Sequence, residues 1–264
     1  MKESCLIFAA KMGYFSRAFI YFLISILALS SIIPLPHIEG KATNSKGAIT
    51  TLLNSEFGPI LLFILACGLT SYALWRFIQS IADIDNHKLN FRGIIIRSAL
   101  LVSSLTHALL AYSCFKIVFT GLSEGGNSDS MKENIEYIIS LPLGMAIVII
   151  IGVSVLMTGI SQFIRAYKKK YLKYMELDKN LTFVNTISQI GLCSKGLILV
   201  LIGGFITFAG ITEDSDKSGG LDQTWNFLGS LPYGDLLIIT LSLGLLSFSI
   251  YSGVEGLYRK IDLN

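Results

Sequence analysis

Six apolar runs, near 17–35, 57–80, 96–119, 140–165, 190–211 and 234–257, constrain this chain more than any other feature. Each supplies the roughly 20 residues that carry an α-helix across a bilayer at about 1.5 Å per residue. The expected fold class is therefore all-α: a polytopic membrane protein with six transmembrane helices in one membrane domain. Composition agrees, since 52% of the 264 residues are hydrophobic and only 15% are charged, against roughly 25% charged in soluble domains. The run from Ala18 to Leu35 is too long for a signal-peptide core, and no A-x-A-like cleavage site follows it, so it reads as a retained first helix.

The charges are distributed unevenly. Lys2, Lys11, Arg17, Arg76, Lys88, Arg92, Arg97, Arg165, Lys168, Lys169, Lys170, Lys173, Lys179, Arg259 and Lys260 all fall at one side of the spans, fifteen of the twenty-one basic residues. Cytoplasmic flanks carry the positive excess, so both termini are expected in the cytoplasm. Eleven of the eighteen acids, from Glu39 through Asp235, fall on the other side. The net charge of +3 carries no signature of nucleic-acid binding.

Aligning the even-numbered spans on a glycine reveals a repeat. Gly58, Gly144 and Gly234 are 86 and 90 residues apart. Ten residues on stand Gly68, Ser154 and Gly244; fourteen on, Tyr72, Thr158 and Phe248; seventeen on, Trp75, Ser161 and Tyr251. Before each glycine lies a short amphipathic stretch, with Ile49, Leu52 and Leu53 matching Ile135, Ile138 and Ile139, then Trp225 and Leu228. These stretches are too short to span and read as interfacial helices on the outer side. In the odd-numbered spans Gly13 with Arg17 matches Gly191 with Lys195, and the middle copy has Ser103 or Ser104 there. The repeat units run approximately 13–80, 96–165 and 190–258. Three tandem helical hairpins of one orientation would be related by a pseudo-threefold axis along the membrane normal.

The second span, FGPILLFILACGLTSYALWRF, resembles the repeat of a bacterial six-span membrane family known as domain of unknown function number twelve hundred and six. Phe57, Gly58, Leu61, Leu62, Gly68, Leu69, Tyr72, Trp75 and Arg76 carry the likeness. The third copy fits through Gly219-Gly220 and the Pro232-Tyr233-Gly234 turn. The middle copy departs from it, with Ser154 for the mid-span glycine and Gln162 where the first has Arg76. The resemblance implies three two-helix units in the inner membrane and transfers no activity.

Small residues recur at i, i+4 as Cys67 with Ser71, Ser154 with Thr158, Ser249 with Gly253 and Ser252 with Gly256, spacings that let helices approach closely in lipid. Gly203-Gly204 reads as a packing site, with a hinge as the alternative. The four cysteines show no metal or disulfide spacing and read as packing residues.

His107 lies ten residues past Arg97, about 15 Å deep. A proton or ligand role stands there beside structural bonding to Ser103, Ser104 or Ser113. Glu255 has a local partner in Arg259 at i+4 and cross-span candidates in Arg17, Arg76 and Lys195. Such an inner polar layer reads as a gate or a lipid-headgroup site, or as a snorkelling fringe. Lys168, Lys169, Lys170 and Lys173 follow the fourth span and are expected to meet anionic headgroups. Trp225 and Phe227 read as belt aromatics, and Trp75 with Arg76 as the inner membrane boundary.

No HExxH, GxSxG, paired intramembrane carboxylates or phosphate loop occurs, so no enzyme, cofactor or metal is expected. Two classes remain. One is a non-catalytic structural, assembly or accessory protein that packs with a membrane-protein partner. The other is a small transporter or channel with a path along the pseudo-threefold axis.

Overall fold

The computed structural model describes residues 2–33, 58–83, 91–120, 127–175 and 182–259. These form eight α-helices: α1 (Lys2–Ser30), α2 (Gly58–Ala82), α3 (Phe91–Thr120), α4 (Asn127–Ile139), α5 (Gly144–Tyr167), α6 (Thr182–Thr212), α7 (Leu221–Ser230) and α8 (Gly234–Tyr258). Six of them, α1, α2, α3, α5, α6 and α8, are long and apolar enough to cross a membrane, and no strand occurs among the described residues.

The two short helices enter the spans through one recurring turn. Leu143 (φ 65°) and Tyr233 (φ 61°) both adopt the left-handed conformation just before Gly144 and Gly234. The glycine is required by proximity, because a Cβ at Gly144 would run into the Ile138 carbonyl oxygen and one at Gly234 would lie 2.5 Å from that of Gly229. The equivalent stretch of the first copy, with Ile49, Leu52 and Leu53, lies outside the described residues.

These helices turn their apolar faces onto the bundle. Ile135 of α4 is buried with Val148, Ile206 and Ala209. Trp225 and Leu228 of α7 join the main core of Ile20, Ile24, Leu62, Leu69 and Leu245. Trp225 is therefore a core residue, not a belt aromatic, while Phe227 is partly exposed against Phe205. Trp75 is likewise buried, its indole N–H donating to Tyr14 Oη at 3.2 Å, so its ring packs inside the bundle.

The spans pack in the order α3, α2, α1, α8, α6, α5, and the two ends of that row, α3 and α5, make at most a grazing contact. The order is a cyclic arrangement of three two-span units opened at one seam. Contacts between units are extensive: α2 with α3, α5 with α6, and α8 with α1. Within units, α1 packs on α2 and α6 on α8, but the middle unit's own spans stand apart. The arrangement thus differs from three equivalent hairpins.

Glycine chemistry accounts for the difference. A Cβ at Gly13 would lie 2.5 Å from the Cβ of Tyr72, and one at Gly191 would lie 2.5 Å from the Cα of Phe248. Gly68 receives Ser16 Oγ and Gly244 receives Ser194 Oγ in the same way. These are equivalent positions of the first and third copies, and both pairs of spans close over them. The middle copy has Ala99 or Leu100 in place of Gly13, and Ser154 in place of Gly68. With a side chain at both positions the backbones cannot approach so closely.

Between units, close backbone approach and polar bonds hold the helices. On α5 and α6 a glycine stripe of seven-residue spacing interlocks, Gly152 and Gly159 meeting Thr207, Gly203, Gly196 and Val200. Arg97 donates from Nε to the Ser80 carbonyl at 2.6 Å and from Nη2 to that of Ile81 at 2.7 Å, satisfying carbonyls at the end of α2. Ser104 Oγ donates to the Ala73 carbonyl (2.8 Å) and Ser249 Oγ to that of Ala18 (2.7 Å).

The i, i+4 small pairs play a smaller part. Cys67 and Ser154 are exposed, with Ser71 and Thr158 bonding back to their own helices. Only Ser252 with Gly256 lies wholly in an interface, where a Cβ on Gly256 would meet Tyr14 Cβ at 3.2 Å. Gly203 is a packing site against Leu156, whereas Gly204 has nothing within 4 Å.

Candidate functional site

At the basic end of the bundle, five spans contribute to a layer of charged and aromatic side chains. Arg17 on α1 is 3% exposed, which obliges every polar atom of its guanidinium to find a partner. Nε donates to Ser252 Oγ at 3.1 Å, Nη1 to Tyr72 Oη at 2.8 Å and Nη2 to Glu255 Oε2 at 2.6 Å. One side chain thereby joins the first, second and last spans. The other carboxylate oxygen of Glu255 accepts from Arg259 Nη1 at 2.6 Å. The local and cross-span partners of Glu255 are thus both present.

Arg76 on α2 donates from Nε (2.8 Å) and Nη2 (2.6 Å) to the same Tyr72 hydroxyl, and from Nη1 to Gln79 Oε1 at 3.1 Å. The aromatic rings complete the cage. Arg17 lies 5.0 Å from the centroid of Tyr14, 5.3 Å from Tyr72 and 5.4 Å from Phe248, and Arg259 lies 5.4 Å from Tyr14. Faces of aromatic rings attract cations most strongly where water is excluded.

Lys195 on α6 occupies the place in the third copy that Arg17 occupies in the first. Its ammonium sits over Phe248 (4.4 Å) and Tyr21 (4.9 Å). Phe248 corresponds to Tyr72, so the cation-on-aromatic pair is repeated, but without the hydroxyl that anchors Arg17.

His107 on α3 joins the layer from the open side. Its ring packs edge-on to Tyr72, centroids 4.6 Å apart, and Nδ1 lies 2.7 Å from the Ser103 carbonyl oxygen. A carbonyl only accepts, so in this bond Nδ1 carries the proton. The hydroxyls of Ser104 and Ser113 are engaged elsewhere, with Ala73 and Leu109. The structure therefore brings Arg17, Arg76, Glu255, Lys195 and His107 into one layer.

The lysine run forms a separate surface. Lys168, Lys169 and Lys173 are exposed and Lys170 is half-buried. Between them Tyr171 turns inward, 1% exposed, its ring against Tyr251 and its hydroxyl donating to the Asn185 carbonyl at 3.2 Å. Burial pushes the Tyr171 phenol above its ordinary value. Met175 then pairs with Arg259 through a backbone bridge, tying this loop to the end of the last span.

Tyr14, Tyr72 and Ser252 carry much of this site without having been singled out as site residues in the sequence. The signal was present for two of them, because Tyr14 lies one turn before Arg17 and Tyr72 one turn before Arg76, spacings that share a helix face.

No solved structure matches this chain. It is similar to a protein of Bacillus subtilis (strain 168) named "Uncharacterized protein YxxB", at 26% identity over 255 residues, covering 95% of this chain and 90% of the relative. A family description matches three tandem stretches, 12–83, 99–169 and 190–259, each holding two of the six spans. With these matches covering most of its length, the chain belongs to the family described as Domain of Unknown Function (DUF1206).

Proposed function

We propose that the chain is a non-catalytic accessory or assembly protein of the bacterial cytoplasmic membrane, with both termini in the cytoplasm and a membrane-protein partner. The observation that carries this reading is the closed interior. Leu62, Leu65 and Leu69 of α2, Ile20, Ile24 and Leu27 of α1 and Leu241 and Leu245 of α8 form one core, with Trp225 and Leu228 packed over it. A continuous apolar core favours a scaffold over a conduit along the axis. Lateral surface is also plentiful: 17% of the third span's most apolar window and 22% of the fourth's are buried, against 50% in the first and last. The basic ends of the spans support a cytoplasmic assignment for that face, and the exposed lysines there suit anionic headgroups.

A small transporter is the second reading, favoured by the seam between α3, the helix that carries His107, and α5. Affinity purification in mild detergent, with mass spectrometry of co-purifying proteins and small molecules, separates the two. A partner recovered reproducibly at stoichiometric amounts is expected. Repeated recovery of the bare protein, together with solute flux in proteoliposomes, would favour transport.

A further inference from the structure

Among the described residues, the layer at the basic end gathers Arg17, Arg76, Arg165, Arg259 and Lys195 around one acid, Glu255. Both oxygens of Glu255 are engaged, by Arg17 and by Arg259. Among the described residues Arg76 donates to Tyr72 and Gln79, and Arg165 to Gln162 Oε1 at 3.4 Å. Lys195 has aromatic faces but no hydrogen-bond acceptor among the described residues. Its charged neighbours are Arg17, Arg76 and Arg165, which repel it, and the doubly engaged Glu255. An uncompensated cation within the bilayer costs several kcal/mol, and here such cations are gathered together.

A second observation in the same layer has the same sense. The Tyr251 hydroxyl is buried and has no partner among the described residues. Its ring adjoins Phe248, the ring that Lys195 covers, with centroids 5.7 Å apart. Its charged neighbours include Arg165, Arg17 and Arg259 as well as Glu255. A buried donor without an acceptor is costly, and an anion with several oxygens answers both deficits at once. Lys195 is only half-buried, and it lies five residues inside the apolar run, about 8 Å from its basic end.

We propose that this layer binds one phosphate-type oxyanion at Lys195, with Arg165 and the Tyr251 hydroxyl completing the site and Arg17 and Arg76 supplying its field. Charge-assisted bonds to such an ion are stronger than neutral ones. The site is independent of the accessory role and distinct from the exposed lysines after the fourth span.

The test uses the purified full chain in maltoside micelles, followed by thermal unfolding. One series adds phosphatidylglycerol or phosphatidylcholine at equal mole fraction, the other inorganic phosphate or chloride at equal ionic strength. Saturable stabilisation by phosphatidylglycerol alone identifies a headgroup as the ligand, and stabilisation by inorganic phosphate identifies a free oxyanion. Lys195→Met and Arg165→Gln should each weaken the apparent affinity by roughly tenfold or more. The combined Lys168→Gln, Lys169→Gln and Lys173→Gln variant should keep it within about twofold. Should Lys195→Met fail to fold, Arg165→Gln carries the comparison. The proposal is overturned if neither anion stabilises the protein, if the variant tested binds like the parent, or if only the surface-lysine variant loses binding.

Discussion

Arg17 and Glu255, separated by 238 residues in the chain, meet at 2.6 Å with their side chains 4% and 3% exposed. The pair joins the first span to the last and so closes one of the three contacts between repeat units. Replacing Glu255 by Gln removes the carboxylate that pairs with both Arg17 and Arg259. The expected loss is about 3–5 kcal/mol, read as a lowered thermal midpoint in detergent. The double variant Arg17→Met with Glu255→Met should be less destabilised than the sum of the single changes, because removing both charges leaves neither one unpaired.

Adjacent glycines on α6 should respond in opposite ways. A Cβ at Gly203 would run into the Leu156 nitrogen, main chain that cannot swing aside, while at Gly204 it meets nothing within 4 Å. Gly203→Ala should therefore destabilise the protein by about 1–3 kcal/mol. Gly204→Ala should be neutral or slightly stabilising through its higher helix propensity. Parallel thermal melts check both.

Gly13→Ala and Gly191→Ala should be similarly harmful, since each glycine faces the backbone of its repeat partner, Tyr72 or Phe248. Ala99→Gly, a corresponding change in the middle copy, removes an exposed side chain where the two spans do not pack. It should cost only the helix propensity, about 1 kcal/mol. A loss there as large as at Gly13 would contradict the account of the seam.

Lys169 offers a handle on orientation, being exposed just beyond the fourth span with a left-handed backbone (φ 48°). In a variant whose other cysteines are replaced, Lys169→Cys should resist a membrane-impermeant maleimide in intact cells and react in inverted vesicles. Met175 is a poor choice for such labelling, because it is 5% exposed and bridged to Arg259.

Spans and repeats were legible in the sequence because each is written in local pattern: apolar length, and glycines at constant offsets such as Gly58, Gly68 and their counterparts. The gathering of Arg17, Arg76, Lys195 and Glu255 at one depth was also legible, since depth follows from residue count along a helix. What could not be read was which faces meet. Trp75 and Trp225 look like interfacial anchors by position, yet both are buried: Trp75 bonds Tyr14 across the contact of α1 and α2, and the short helix that carries Trp225 folds its apolar side onto the bundle. Likewise the stripe of Gly196, Gly203 and Gly210 at seven-residue spacing, not the i, i+4 pairs, lines the tightest contact. The open middle unit required knowing that Gly13 and Gly68 touch the partner span, which only the packing reveals.

Disulfide cross-linking in a cysteine-free background tests the ring directly. Ala18→Cys with Ser249→Cys spans the contact of α1 and α8, where Ser249 Oγ bonds the Ala18 carbonyl at 2.7 Å. Leu100→Cys with Thr158→Cys spans the middle unit at the position equivalent to Gly13 and Tyr72. The structure predicts efficient cross-linking of the first pair and none of the second. Efficient cross-linking of Leu100→Cys with Thr158→Cys would contradict a ring opened at the middle repeat.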